Sequence, residues 1–202
     1  MPNDHYYTQN PQSAHKAGQV TVEYRGHTLR FETDSGVFSR TELDRGTEVL
    51  LSALPREMQG RVLDMGCGWG VIGVAVGAHW PAVRITMADI NERAVELARR
   101  NAQSNGVTAC ALQSDGYAAL SGQRFDWILQ NPPIRAGKAV IYQMFADAAR
   151  CLLPGGSLWL VIRKQQGAPS ALNYLRTLFA QVDTLEKKSG FWVIRCTDPL
   201  EA

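Results

Sequence analysis

Val20, Val22 and Tyr24 alternate with polar residues, Arg25-Gly26-His27 offers a turn, and Leu29 and Phe31 resume the alternation. Successive side chains of a strand face opposite ways, so this pattern predicts a β-hairpin with one covered face. Residues 48–54 then read as an amphipathic helix stopped by Pro55. Apolar runs at 61–65, 83–88, 108–112, 125–129 and 158–162 predict buried strands, the second ending at Asp89. Helical patterns lie between and after them, from residue 71 and over 92–103, 138–153 and 171–179. Asn91 is placed to cap the helix over 92–103, and Asn105-Gly106 to end it. Pro154-Gly155-Gly156 breaks the next one. The final strands, 182–187 and 191–196, are separated by three residues, too few for a crossover, so they must pair antiparallel.

This alternation predicts an α/β fold: a doubly wound, seven-stranded, mostly parallel sheet with an antiparallel C-terminal hairpin. A chain of 202 residues suits one such domain. Within it, residues 1–40 form a small N-terminal hairpin extension and 41–202 the core. The hairpin serves either as a lid facing the substrate or as an addition to the sheet edge.

Composition changes the picture little. A net charge of +2 permits a nucleic-acid partner without demanding one. No run approaches the length of a membrane helix, and the first residues lack an apolar secretion core, so a cytoplasmic location is expected. The cysteines (Cys67, Cys110, Cys151, Cys196) and histidines are scattered, which predicts free thiols and no metal site.

The candidate chemistry centres on residues 61–73, R-V-L-D-M-G-C-G-W-G-V-I-G. A buried strand, a glycine turn and a buried helix make a nucleotide-type ligand site. Gly66, Gly68 and Gly70 let the backbone adopt dihedrals that a Cβ forbids and let a ligand approach closely. Free N–H groups at the helix start then face the ligand, and Cys67 lies within the same loop. Two ligand classes fit. Residues 68–73 match the dinucleotide pattern G-x-G-x-x-G, with Asp89 at the distance of a ribose-binding acid. The pattern D-x-G-x-G-x-G, starting at Asp64, instead suits a ligand with a cationic ammonium group, such as S-adenosylmethionine.

Asp64, Asp89, Asp115 and Asn131 all fall at carboxyl ends of predicted strands, where such sheets bind ligands. Asp64 and the loop amides can hold an ammonium and carboxylate. Asp89 can accept from both ribose hydroxyls. Asp115, followed by Gly116, can accept from an adenine amino group, with Ile90 and Tyr117 on either side of the ring. Gly46-Thr47, read as the start of a helix, can reach a ligand carboxylate through its N–H groups. In Asn131-Pro132-Pro133-Ile134 the prolines fix the backbone and remove donors. The Asn131 side-chain oxygen and the Pro132 carbonyl can then accept both hydrogens of a planar amine and aim its lone pair at an electrophilic methyl group. Arg135, Lys138, Arg163 and Lys164 are the nearest cations for phosphate.

V-L-D-M-G-C-G-W-G and N-P-P-I resemble motifs of class I S-adenosylmethionine-dependent methyltransferases. H-Y-Y-T, R-G-H-T-L-R-F-E-T, G-V-F-S, N-P-P-I-R-A-G-K and I-R-K-Q-Q-G-A-P-S resemble, more closely, short single-domain relatives of the 16S rRNA guanine-N2 methyltransferase. The resemblance implies methyl transfer to the exocyclic amine of a guanine in small-subunit rRNA, with rRNA or the small subunit as partner and Phe38 among the substrate-facing residues. Adenine-N6 and protein glutamine methyltransferases usually carry an aromatic residue where this chain has Ile134. Transfer to a protein glutamine, an adenine or a small molecule is the alternative within the class. A nicotinamide oxidoreductase or a non-catalytic RNA-binding domain is the alternative outside it.

Overall fold

The alternating residues of the first two strands pair as the pattern requires. In the computed structural model, which describes residues 14–200, β1 (Gly18–Tyr24) and β2 (His27–Thr33) form an antiparallel hairpin. Val20, Val22, Tyr24, Leu29 and Phe31 fill its covered face. The hairpin is a two-stranded sheet of its own, so it does not extend the edge of the main sheet. The H-Y-Y-T motif, residues 5–8, lies outside the described residues.

The main sheet holds β3 (Arg61–Met65), β4 (Arg84–Asp89), β5 (Ala109–Gln113), β6 (Phe125–Gln130), β7 (Leu152–Arg163), β8 (Phe179–Lys188) and β9 (Phe191–Pro199). Their order is β5-β4-β3-β6-β7-β9-β8. The first five in sequence run parallel, and β9 is antiparallel to both neighbours. Neighbouring residues of a strand serve opposite faces. Val62 and Val161 join a core with α1 (Arg45–Ala53), α2 (Val71–His79), α3 (Glu92–Ser104) and the hairpin. Leu63, Leu160 and Ile162 join a second core with α4 (Lys138–Arg150) and α5 (Ala168–Leu175). None of the helices described is long and apolar enough to cross a membrane.

The hairpin has a physical reason to lie over α2 and α3. Val71 to Val76 are all buried, so α2 is apolar on every side and needs a second layer outside it. Asn101 of α3 binds β2 as a strand edge would. Its Oδ1 accepts from the Glu32 amide at 2.7 Å, and its Nδ2 donates to the carbonyls of Glu32 (2.9 Å) and Trp69 (2.8 Å). This buried amide therefore joins the hairpin, α3 and the glycine turn, with its polar atoms satisfied.

Several element boundaries differ from the sequence expectation. The helix expected over 138–153 ends at Arg150, because Phe125 donates its amide to the Cys151 carbonyl and pairs with Leu152. Pro154-Gly155-Gly156 is absorbed as an irregularity inside β7 rather than breaking the chain before it. The helix expected over 171–179 starts at Ala168, with proline in its first turn, and Phe179 already belongs to β8. The helix expected from residue 48 starts at Arg45, because the Asp44 side chain accepts from the Thr47 amide and caps it.

Gly70 caps α2 at φ +87°, and a Cβ there would stand 3.0 Å from the Ala98 backbone. Both the dihedral and the contact exclude a side chain. Gly70→Ala is expected to destabilise the protein by about 2–3 kcal/mol. Thermal melts should show this as a fall of roughly 5–10 °C.

Candidate active site

A cleft of about 1100 Å³ opens at the carboxyl ends of β3, β4, β5 and β6. The glycine turn, the segment 114–118, Asn131 to Pro133, one side of α4 and the 37–39 loop form its walls. That loop is held from beneath. Trp69 Nε1 donates to the Phe38 carbonyl at 2.9 Å, and Asn91 Nδ2 donates to the Gly36 carbonyl at 2.9 Å. Phe38 itself stands 40% exposed at the cleft, as does Val140 of α4 at 48%.

The glycine turn is pinned by the neighbouring strand. Gly66 and Cys67 donate their amides to the Ala88 carbonyl at 2.8 and 3.0 Å. Gly68 donates to Asp89 Oδ2 at 2.8 Å, and Gly70 to the Cys67 carbonyl at 2.9 Å. These four amides serve the protein, which corrects the expectation that they face a ligand. What Gly66 and Gly68 supply is room. Both have positive φ, and a Cβ on either would meet nothing within 4 Å. The Cys67 thiol lines the cleft, but burial pushes it well above its usual range, so it is not a nucleophile at neutral pH.

Asp64 is fully buried and does not line the cleft. Its Oδ2 accepts from the Gly73 amide at 2.9 Å, which ties α2 to the end of β3. Its Oδ1 is buried without a partner. Burial pushes its carboxyl up to about 7, against the Gly73 hydrogen bond and with help from the nearby Asp89 charge. Asp64 therefore stands behind the turn rather than in direct reach of a ligand. Asp89 does line the cleft. Its carboxylate accepts from the Asn91 and Gly68 amides, and burial raises its pKa in spite of those bonds.

Ile90, Asp115, Gly116 and Tyr117 all reach the cleft. The Tyr117 hydroxyl accepts from Gln130 Nε2 at 2.7 Å, which ties the ring to the end of β6. Burial raises this phenol well above its ordinary range, so it stays neutral. Asn131, Pro132 and Pro133 line the cleft. Asn131 Nδ2 donates to Asp44 Oδ2 at 2.8 Å and to Thr47 Oγ1 at 2.9 Å. With both N–H groups taken, the amide is oriented and its oxygen is left as the free acceptor.

Several expected residues serve other contacts or sit outside the cleft. Thr47 reaches the cleft but works on Asn131, and Gly46 packs against the Phe191 ring, where a Cβ would come within 3.0 Å. Ile134 packs against the core under α4 and does not line the cleft. Arg135, Lys138, Arg163 and Lys164 are exposed outside the lining. Lys138 lies over the Tyr142 ring and Arg163 over that of Phe191. Asp44 was missed as a site residue. Its signal, an acid three residues before Thr47, reads only as a helix cap, and its contact with Asn131 spans 87 residues.

A family model described as the methyltransferase small domain matches residues 28–195. The YbxB protein of Bacillus subtilis is 41% identical, over 96% of this chain and 98% of its own length. Ribosomal RNA small subunit methyltransferase C of Cronobacter sakazakii is 35% identical over 86% of this chain, which spans 51% of that protein. Among solved structures, a T. thermophilus 16S rRNA guanine-N2 methyltransferase in complex with AdoMet and guanosine superposes with a TM-score of 0.81. It is 26% identical, over 93% of this chain and 52% of that one. The chain thus spans about half the length of these rRNA methyltransferases, and its fold is the Rossmann-like methyltransferase fold.

The Asp64 pKa gives a pH signature. A carboxyl raised from 3.8 to about 7 keeps its proton in the folded state while the unfolded chain loses it. Its stabilising contribution is thus complete below about pH 4 and is lost as the pH rises through about 7. Melting wild type and Asp64→Asn in parallel from pH 5 to 8 should show the difference wild type minus variant falling as pH rises. A constant difference would show that Asp64 titrates normally.

Proposed function

The chain belongs to the methyltransferase small domain family, and from this we propose that it is an S-adenosylmethionine-dependent N-methyltransferase acting on the exocyclic N2 amine of a guanine in 16S rRNA. The orientation of the Asn131 amide carries this reading. An amide whose N–H groups are held by Asp44 and Thr47 offers only its oxygen to the cleft, which suits a substrate that brings a donor.

The residues present fit the cofactor. The space left by the missing side chains of Gly66 and Gly68 admits its amino-acid end. Asp89 would accept from the ribose hydroxyls and Asp115 from the adenine amine, and Ile90 and Tyr117 would flank the ring. Asp64 contributes from behind, by holding the turn. Bound there, S-adenosylmethionine supplies a methyl group on a sulfonium.

The chain itself positions and desolvates the acceptor. Asn131 Oδ1 and the Pro132 carbonyl accept the two hydrogens of the amine and turn its lone pair out of conjugation. As the new N–C bond forms, the C–S bond breaks toward sulfur, and the surplus proton leaves to water. Positioning and fixed dipoles suffice for this without a strong base. The exposed Arg135, Lys138, Arg163 and Lys164 contact backbone phosphates. A paired guanine must leave its stack to reach Asn131, and Phe38 and Val140 offer it an apolar rim. Such an acceptor is met in the cytoplasm.

The test is methyl transfer from labelled S-adenosylmethionine to small ribosomal subunits lacking the modification, with naked 16S rRNA and total protein as parallel acceptors. Wild type should yield N2-methylguanine, and Asn131→Ala should lower the rate by about 100- to 1000-fold. S-adenosylhomocysteine at 100 times its Kd should stabilise both proteins alike, by about 2.7 kcal/mol, while NAD should not. Label in protein would move the acceptor to a side-chain amide.

A further inference from the structure

Asp44 stands on the cleft wall beside Asn131, and its hydrogen bonds are unevenly shared. Oδ2 accepts three: from the Thr47 amide at 2.9 Å, from the Thr47 hydroxyl at 3.4 Å and from Asn131 Nδ2 at 2.8 Å. Oδ1 accepts none from any described residue, and it is not among the buried orphans. A solvent-accessible carboxylate oxygen is therefore left on the residue whose other oxygen holds the Asn131 amide. Two hydrogen-bonded residues of the cleft lining thus each keep one acceptor oxygen unused.

We infer that Asp44 is a specificity-determining residue that reads the ring N–H of guanine with Oδ1 while Asn131 holds the adjacent amine. This rests on the guanine reading above. Guanine presents two neighbouring donors on one edge, its exocyclic amine and its ring N–H, and two adjacent acceptors match them. Adenine presents an amine beside a ring nitrogen lone pair, which a carboxylate repels. A single carboxylate thereby does two things. One oxygen orients the catalytic amide, and the other selects the base that carries the amine. Ile134 packs against the core and does not line the cleft, so polar groups of the lining are the ones placed to discriminate.

The probe is 2,6-diaminopurine, which keeps the C2 amine of guanine, replaces the ring N–H with a lone pair and the C6 oxygen with an amine; the Asp44 variants then assign the difference to the ring N–H. Guanosine and 2,6-diaminopurine riboside are titrated against protein saturated with S-adenosylhomocysteine. In parallel, methyl transfer is measured on short single-stranded RNAs carrying one or the other base. Wild type should favour guanine about 10- to 100-fold in both readouts. Asp44→Asn can still cap α1, since asparagine is as good a cap as aspartate, and its amide can donate to the lone pair. It should erase or invert the preference. Asp44→Ser, another good cap, should erase it without inversion, and serves if the first variant is unstable. Thr47→Val removes one clamp on Asn131 and the long contact to Asp44 Oδ2 but nothing at Oδ1, so it should slow transfer to both bases by one factor and leave the preference intact.

A preference unchanged in Asp44→Asn and Asp44→Ser, or changed equally by Thr47→Val, would overturn the assignment. Equal use of both bases by wild type would also overturn it, while leaving guanine-N2 transfer standing. If wild type binds S-adenosylhomocysteine but neither binds nor methylates either base, the guanine reading fails and this assignment fails with it.

Discussion

The cleft depends on one constraint: the turn after β3 is held by the end of β4. Amides that a mononucleotide loop could turn outward are spent on the Ala88 carbonyl and the Asp89 carboxylate. This fixes the path of the chain through Gly66 and Gly68 before any ligand arrives. It also explains the buried acids. Asp89 accepts the Gly68 amide of the turn and the Asn91 amide just before α3, and Asp64 accepts from Gly73 in the first turn of α2, so both carboxylates are spent on backbone donors. The cost is a pair of acids with raised pKa values in the interior, sustained because each is hydrogen-bonded to backbone.

A second constraint joins distant parts of the chain at the reacting centre. Asp44 caps α1, and the same oxygen holds Asn131 at the end of β6. The cap that starts a helix is therefore also the part that aims the amide. Because α1 packs on the sheet through Val49, Leu50 and Leu51, the clamp inherits the stiffness of the core. The hairpin acts at longer range. Through Asn101 and Trp69 it shields α2 and holds the loop that brings Phe38 to the cleft.

Much of the fold was legible because each strand is a short apolar run and each helix has its own period and stop. The antiparallel edge followed from a three-residue connection, which no parallel crossover can span. The start of β7 was not legible. Pro154-Gly155-Gly156 looks like a break in isolation, and only its partner strand β6 turns it into an irregularity within a strand. The role of the hairpin was half legible. Its pairing is local, but its place outside α2 depends on how completely that helix is buried. At the site, the ends of the strands could be read from position alone, whereas the direction of each side chain could not. Asp64 looked like a ligand contact and stands behind the turn. Thr47 looked like a ligand contact and grips Asn131. Both outcomes depend on contacts between segments far apart in sequence, which no local pattern encodes.

The account turns on where a guanine amine would sit, and a crystal structure with S-adenosylhomocysteine and guanosine measures that directly. The account predicts the exocyclic nitrogen within hydrogen-bonding distance, about 3 Å, of both Asn131 Oδ1 and the Pro132 carbonyl, with the cofactor crossing Gly66 and Gly68. A base bound with its amine turned away from Asn131, or a cofactor that avoids the two glycines, would contradict it.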